Sequence, residues 1–450
     1  MGDVKLPKDA LYGASTQRAV ENFPISGIRF GRDFLSTLAA LKSSAAQVNS
    51  SLGHLEARLA KSIQKAAEEV EVGKWDHQFP IDIFQTGSGT STNMNFNEVV
   101  SNLANVALGK KIGSHSPIHP NDHVNLGQSS NDVIPTVIHV TACRLIQEQL
   151  LPALTTLNQT LEKKSKDFQK IIKVGRTHLQ DATPITLGQE FSGYARQVFL
   201  AKQRVENALG SLLELPLGGT AVGTGINTDK KFAGLVIKEL SKKYRMKFKE
   251  ADNHFEAQGA KDACVEMSGA LKTCAVGLTK IANDIRWLSS GPRCGLGELT
   301  LPPVQPGSSI MPGKINPVIC EALLQVCVNV MASDLAITLA AQSGNFELNM
   351  MMPLIAHHLL QAITTLSASV RLFDEKCVRG LTANEEHLAE ILEKSLMLAT
   401  PLAPVIGYEK AAEIAKLAFK EGKTIRETAQ KHTKLSSKEL DKILDPKNMI

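Results

Sequence analysis

Between Ser50 and Val72 the apolar residues Leu52, Leu55, Leu59, Ile63, Ala66 and Val70 recur at steps of three and four. That spacing predicts a helix with one buried face. The same period runs through 133–170, 188–214, 229–243, 256–289, 317–342 and 353–376. Long helices of this kind pack side by side in bundles. No sustained alternation of strands with helices is visible, and no short-period repeat. From residue 386 onward the helical patches are shorter, as in 409–420 and 424–432, and read as a small separate helical domain. The prediction is a mainly α fold with a long central helical bundle over 129–385, a smaller N-terminal domain over 1–128 and a small C-terminal domain over 386–450.

Four polar stretches break the period: "QTGSGTSTNMNFNE" (85–98), "HPNDHVNLGQSSND" (119–132), "GRTHLQDATP" (175–184) and "QPGSSIMPGKINP" (305–317). Each leads into an apolar periodic segment. Each is therefore expected to set small polar side chains and free backbone N–H groups at a helix N-terminus, where anions bind well. Together they suggest one shared anionic ligand.

The last stretch imitates a phosphate-binding loop and fails the comparison. That motif places four residues between its glycines and a Ser or Thr after the lysine. Here five residues separate Gly307 from Gly313, Ile315 follows Lys314, and no strand pattern precedes the loop. What remains is a flexible Gly/Ser turn, a Pro-Gly that positions Lys314, and Asn316-Pro317 as cap and first helical residue. Lys314 can neutralise a carboxylate, and Asn316 and the loop amides can hydrogen-bond a developing charge. Glu321 lies one turn further along the same helix and can face the same site. Ser308 and Ser309 sit on the side where a lid would move. The plain alternative, an ordinary loop and cap, explains Asn316 and Pro317 but not the lysine beside two serines.

Composition narrows the field. Abundant Ala and Leu with 5% aromatic residues favour helices over sandwiches or barrels. A net charge of +5 over 450 residues demands neither nucleic acid nor membrane. Lysines alternate with acidic neighbours, as in "AKSIQKAAEEVEVGK", which is a solvated face. The seven scattered cysteines include no C-x-x-C pair, and read as reduced thiols of a cytoplasmic protein. "MGDVKLPKDALYG" lacks the apolar core of a signal peptide, and the apolar run after Cys320 is interrupted by Asp334.

A single histidine is more often packed or superficial than catalytic. His178 lies among Arg176, Thr177, Gln180 and Asp181, which suits a proton carrier. Ser129 and Ser130 precede Asn131-Asp132 and read first as helix caps. His119, Asp122 and His123 are too close in sequence to enclose an ion without a further ligand, so no metal is assigned.

These residues carry a resemblance. "GSSIMPGKINP" is similar to the signature of the fumarase/aspartase superfamily. "TGSGTSTNMNFNEV", "HPNDHVNLGQSSNDVIPT", "GRTHLQDATPITLGQEFSGY", "LGGTAVGTGIN", "KIANDIRWLSSGPRCGLGEL" and "SGNFELN" resemble class II fumarase segments in the same order over nearly the whole chain. The histidine at 178 favours that branch, since aspartases typically carry Gln there, and "QSSND" leans the same way.

The resemblance implies a homotetramer with each active site built from three subunits, and reversible hydration of fumarate to (S)-malate in the tricarboxylic acid cycle without metal or organic cofactor. It implies Ser308 as the base at C3 of malate and His178, acting through a water with Glu321 as its partner, as the acid at the C2 hydroxyl. Lys314 and Asn316 would hold the carboxylate next to the carbanion, which is stabilised as an aci-carboxylate. Ser88, Gly89, Thr90, Ser129, Ser130, Asn131, Thr177 and Ser309 would complete the substrate cradle. His119, Asn121 and Asp122 match a second anion site of the family. Two departures stand out. Family members usually begin some residues earlier, which implies a short N-terminus, and Ser116 stands where an arginine often precedes the His-Pro-Asn-Asp run.

Two other readings compete. An ammonia-lyase on the same fold would act on aspartate, and another lyase of that fold would release fumarate from a different substrate. A helical scaffold or nucleic-acid binder would cluster its basic residues on one face and would leave the four polar loops without a purpose.

Overall fold

A computed structural model describes residues 2–450. In chain order the helices are α1 (Ala14–Asn22), α2 (Arg32–Ser51), α3 (Ala57–Glu71), α4 (Thr90–Ala107), α5 (Ser130–Leu145) and α6 (Leu151–Asp167). The hairpin strands β1 (Ile172–Thr177) and β2 (Gln180–Thr186) follow, then α7 (Leu187–Leu212), α8 (Phe232–Tyr244), α9 (His254–Gly259), α10 (Asp262–Leu288), α11 (Val318–Ala341) and α12 (Met352–Phe373). The tail holds α13 (Glu385–Lys394), α14 (Ala403–Ile406), α15 (Tyr408–Glu421), α16 (Ile425–His432) and α17 (Ser437–Ile443). The mainly α class read from the periodicity is borne out, and the long periodic segments end within a few residues of α7, α10, α11 and α12.

The contacts divide the chain into two units. One gathers residues up to Leu151 with Gln203–Ala275 and Val328–Leu366; the other gathers Pro152–Lys202, Val276–Cys327 and Ser367–Ile450. In the first unit the predicted 50–72 helix proves to be two elements. The chain leaves α2 at Ser51, turns through Gly53 in the left-handed region, and restarts as α3. Ala60, Ile63, Ala67 and Val70 form the buried stripe of α3. Its Leu52 and Leu55 belong to the turn between the helices.

In the second unit Leu398, Leu402, Ile414, Ala418, Ile425, Ala429 and Leu440 share one apolar core, and Val174 of β1 is buried in it. The short helices there are locally specified. Thr424 with Glu427, and Ser436 with Glu439, form reciprocal caps at the starts of α16 and α17. Gly422, at φ 65°, ends α15 in a left-handed turn.

A second local expectation is overturned. Residues 175–184 were expected to open a helix; they form the turn and inner halves of an antiparallel hairpin, and α7 starts only at Leu187. Thr177, Thr183, Ile185 and Thr186 are β-branched, which suits a pleated strand. The polar residues had masked that local preference.

α11 averages a hydropathy of 1.7 over 18 residues, enough by length and composition to cross a membrane. Of its two acidic residues, Asp334 is satisfied inside the protein: it accepts from Ser268 at 2.8 Å and pairs with Lys272 at 2.6 Å.

Candidate active site

In the first unit the starts of α4 and α5 meet. Gly89, in the left-handed region at φ 73°, turns the chain into α4. Just before it Gly87 lies so close to the Met350 carbonyl that a Cβ would come within 1.8 Å of its oxygen, so only glycine fits. This lays Ser88, Gly89 and Thr90 against the start of α5. Ser88 Oγ is 2.6 Å from Thr90 Oγ1, and Thr90 Oγ1 is 2.6 Å from Ser130 Oγ. Ser130 reaches Asn131 Oδ1 at 3.5 Å, and Asn131 Nδ2 donates to the Ala221 carbonyl at 2.8 Å. The predicted cradle residues Ser88, Gly89, Thr90, Ser129, Ser130 and Asn131 are therefore brought together.

Asp132 holds this arrangement from below. Ser129 Oγ accepts the Asn131 N–H at 3.2 Å, while the Ser129 N–H donates to Asp132 Oδ1 at 2.9 Å. Asp132 Oδ2 accepts from the backbones of Gly218 and Thr220, each at 3.0 Å. Burial raises the carboxyl above its usual range, opposed by these backbone donors and then by Lys42. Lys42 is fully buried and donates to Asn125 Oδ1 at 2.9 Å; burial pulls its ammonium down to about 7. The Ser-x-x-Asp spacing is a capping signature and could have pointed to Asp132. Lys42 gave no signal, because it sits in an otherwise ordinary helical period.

In the second unit the hairpin tip presents Thr177 and His178. His178 and Leu179 have φ of 54° and 59°. Two positive values in succession define a two-residue turn whose twist suits a hairpin, normally built with Asn and Gly. Residues with a Cβ bear strain there, which is a recurrent mark of functional positions. Both side chains are exposed.

The Gly307–Pro317 loop belongs to the same unit and closes on itself. The Gly307 N–H donates to the Lys314 carbonyl at 2.8 Å, and Asn316 Nδ2 donates to the Gly307 carbonyl at 2.7 Å. The side-chain amide of Asn316 thus ties the loop shut, and α11 begins at Val318. Ser308 Oγ accepts N–H groups from Ile310 at 3.2 Å and Met311 at 3.0 Å. Two backbone donors on one hydroxyl oxygen favour its anionic form. Ser309 and Lys314 are exposed, and Glu321 is half-buried in the first turn of α11.

His119, Asn121 and Asp122 form a separate cluster in the first unit. His119 Nδ1 accepts the N–H groups of Asn121 at 3.3 Å and Asp122 at 3.2 Å. That leaves Nε2 as the ring's outward donor in the neutral form.

The family described as Lyase matches residues 2–332, and the fumarase C C-terminus matches residues 398–450. A class II fumarate hydratase of Xylella fastidiosa is 50% identical over 446 residues, 99% of this chain and 93% of that protein. The chain belongs to the fumarase/aspartase superfamily. The resemblance read from the loops is thereby borne out, and the superfamily is one of lyases. The mitochondrial fumarate hydratase of Saccharomyces cerevisiae is 51% identical over 451 residues, covering 100% of this chain and 92% of that one. The crystal structure of a class II fumarase from Schistosoma mansoni superposes with a TM-score of 0.95 at 41% identity, covering 99% of this chain and 97% of that chain.

Proposed function

We propose that the protein is a class II fumarate hydratase, interconverting fumarate and (S)-malate in the tricarboxylic acid cycle by addition and elimination of water. The observation that carries this reading is half identity to fumarate hydratases along the entire chain. The geometry supplies the parts that the chemistry needs.

A proton α to a carboxylate is weakly acidic, and its removal places a second negative charge on that carboxylate. Ser308 takes the proton from C3 of malate. Its oxygen is suited to this by the Ile310 and Met311 N–H groups that already point at it. Lys314 and Asn316 hold the carboxylate as it takes up the charge in its aci form. Fixed donors of this kind in a dry site lower a barrier by several kcal/mol, on the order of 3–4 for one oxyanion donor. The linked hydroxyls of Ser88, Thr90 and Ser130, with Ser129, Asn131, Thr177 and Ser309, orient the dicarboxylate. His178 delivers a proton through a water to the leaving C2 hydroxyl, and Glu321 accepts from the imidazole to keep it in the right tautomer. The proposed chemistry needs neither metal nor organic cofactor.

The site is read as shared between subunits of a homotetramer. Support comes from α11, which leaves Val328, Leu335 and Leu339 at 64%, 60% and 52% exposure in the single chain. Leaving such a face in water is costly, and helices that are apolar on every side are normally covered. His119, Asn121 and Asp122 are read as a second anion site. Six of the seven cysteines are buried and none is in a disulfide among the described residues, which fits a reducing cytoplasm.

Turnover of the Ser308→Ala and His178→Asn variants tests the assignment. Each is expected to lose at least about a hundredfold in kcat, the span of general acid–base catalysis, while assembling normally. Wild-type turnover in both would overturn it.

A further inference from the structure

The hairpin tip that carries Thr177 and His178 is exposed, so its aim must be set from the strands behind it. In a regular strand, residues three apart point to opposite faces. Lys173 and Arg176 are three apart, yet both meet Glu298. Lys173 Nζ lies 2.9 Å from Glu298 Oε2, and the Arg176 guanidinium is in ion-pair contact with Oε1. The pairing register shifts between Val174 and Arg176, and this bulge supplies the missing half period. Gly175 occupies it; a Cβ there would lie 2.5 Å from the Thr183 carbonyl oxygen.

Glu298 itself is fixed. Its side chain and that of Lys173 are 0% and 1% exposed. Its N–H donates to the Leu288 carbonyl at 2.8 Å, and its own carbonyl accepts from Asn384 at 2.9 Å. The Asn384 side chain further holds the carbonyl of Gly297 at 2.5 Å. Glu190 balances the network from α7, 2.8 Å from Lys173. Two carboxylates and two cations make a balanced set around the buried Lys173–Glu298 pair, with Glu190 and Arg176 partly exposed at its margin. Buried ion pairs are poor sources of net stability, because apolar residues of like volume pack as well; their best-attested use is to specify one arrangement among several.

We propose that Glu298 is a positioning residue for His178: by drawing Lys173 and Arg176 to the same face it holds β1 in its bulged phase, and so fixes where the two residues after Arg176 point. The inference rests on the reading of His178 as the catalytic acid. It makes Glu298, which touches neither substrate nor reacting atoms, a determinant of kcat.

The test uses the full-length assembled protein and the variants Glu298→Gln and Arg176→Lys, the second carrying the test if the first does not fold. Glu298→Gln keeps the volume and removes the charge. The expected result is a kcat on malate lower by at least about tenfold, as for a displaced catalytic group, with KM nearly unchanged. The loss should vanish in a His178→Asn background, since residues acting as one unit are not additive. Amide exchange at residues 176–180 should be faster than in the wild type. Equal fold losses with and without His178, or unchanged turnover, would overturn the proposal. If the wild type itself forms no fumarate from malate, the catalytic reading has failed instead, and unchanged amide exchange at 176–180 in Glu298→Gln then overturns the positioning role as well.

Discussion

Thr90 Oγ1 and Ser130 Oγ lie 2.6 Å apart, although 40 residues separate them in sequence. This contact turns two helix starts into one polar surface. It depends on Gly87 below Thr90 and on Asp132 below Ser130 rather than on the hydroxyls themselves.

Asp132→Ala should therefore harm both stability and binding. Three backbone N–H groups lose their acceptor at a buried position. At about 1–3 kcal/mol per unsatisfied group, partly relieved by relaxation, the expected destabilisation is roughly 2–4 kcal/mol. Denaturant unfolding reads that loss, and the KM for malate should rise because Ser129, Ser130 and Asn131 lose their anchor. Wild-type stability would show that the cap does not hold the cradle.

The hydroxyl chain gives a gentler prediction. Thr90→Val keeps the shape and removes the oxygen between Ser88 and Ser130. KM should rise by about tenfold, the equivalent of a single hydrogen bond to a charged group, while the melting temperature changes little. Steady-state kinetics on malate decide it. An unchanged KM would remove Thr90 from the substrate cradle.

Much of this was legible in the sequence, for physical reasons. Long helices announce themselves by period: α7, α11 and α12 fell close to their expected limits, while the 256–289 segment is broken near its start into α9 and α10. The cradle was legible because Ser, Thr and Asn cluster where helices start. The 175–184 hairpin was not: its polar residues look like a loop, and the left-handed turn at His178 and Leu179 uses residues that do not advertise it. Glu298 was invisible for another reason. Nothing local distinguishes it, and its importance arises from two cations that a bulge brings to one side.

Acid should weaken the first unit through His139. Its ring is buried, and Nδ1 donates to the Glu214 carbonyl at 2.8 Å. Burial first, and then the charge of Lys261, push its pKa down to about 4, against the backbone carbonyls of Glu214 and Leu212. The unfolded chain, at an ordinary value of about 6.5, binds the proton more readily. The contribution is complete above pH 6.5 and is lost as the pH falls toward 4, on the order of 3 kcal/mol over the full interval. His139→Asn preserves a donor without the titration. The difference in unfolding free energy between wild type and variant should slope over this window and be flat above it. A flat difference throughout would contradict the assignment.

The exposed face of α11 predicts the assembly. Leu335→Glu combined with Leu339→Glu should convert the proposed tetramer into smaller species, as read by light scattering after size exclusion. Turnover should disappear with it, since the sites are proposed to be shared between subunits. A monomeric wild type, or a dissociated variant with full activity, would contradict the shared site.

The account's central claim is met most directly by following the ultraviolet absorbance of fumarate with purified, EDTA-treated protein, given (S)-malate in one cuvette and L-aspartate in another. The account predicts fumarate from malate and none from aspartate. Fumarate from aspartate alone would contradict it, and would make His178 part of an ammonia-lyase.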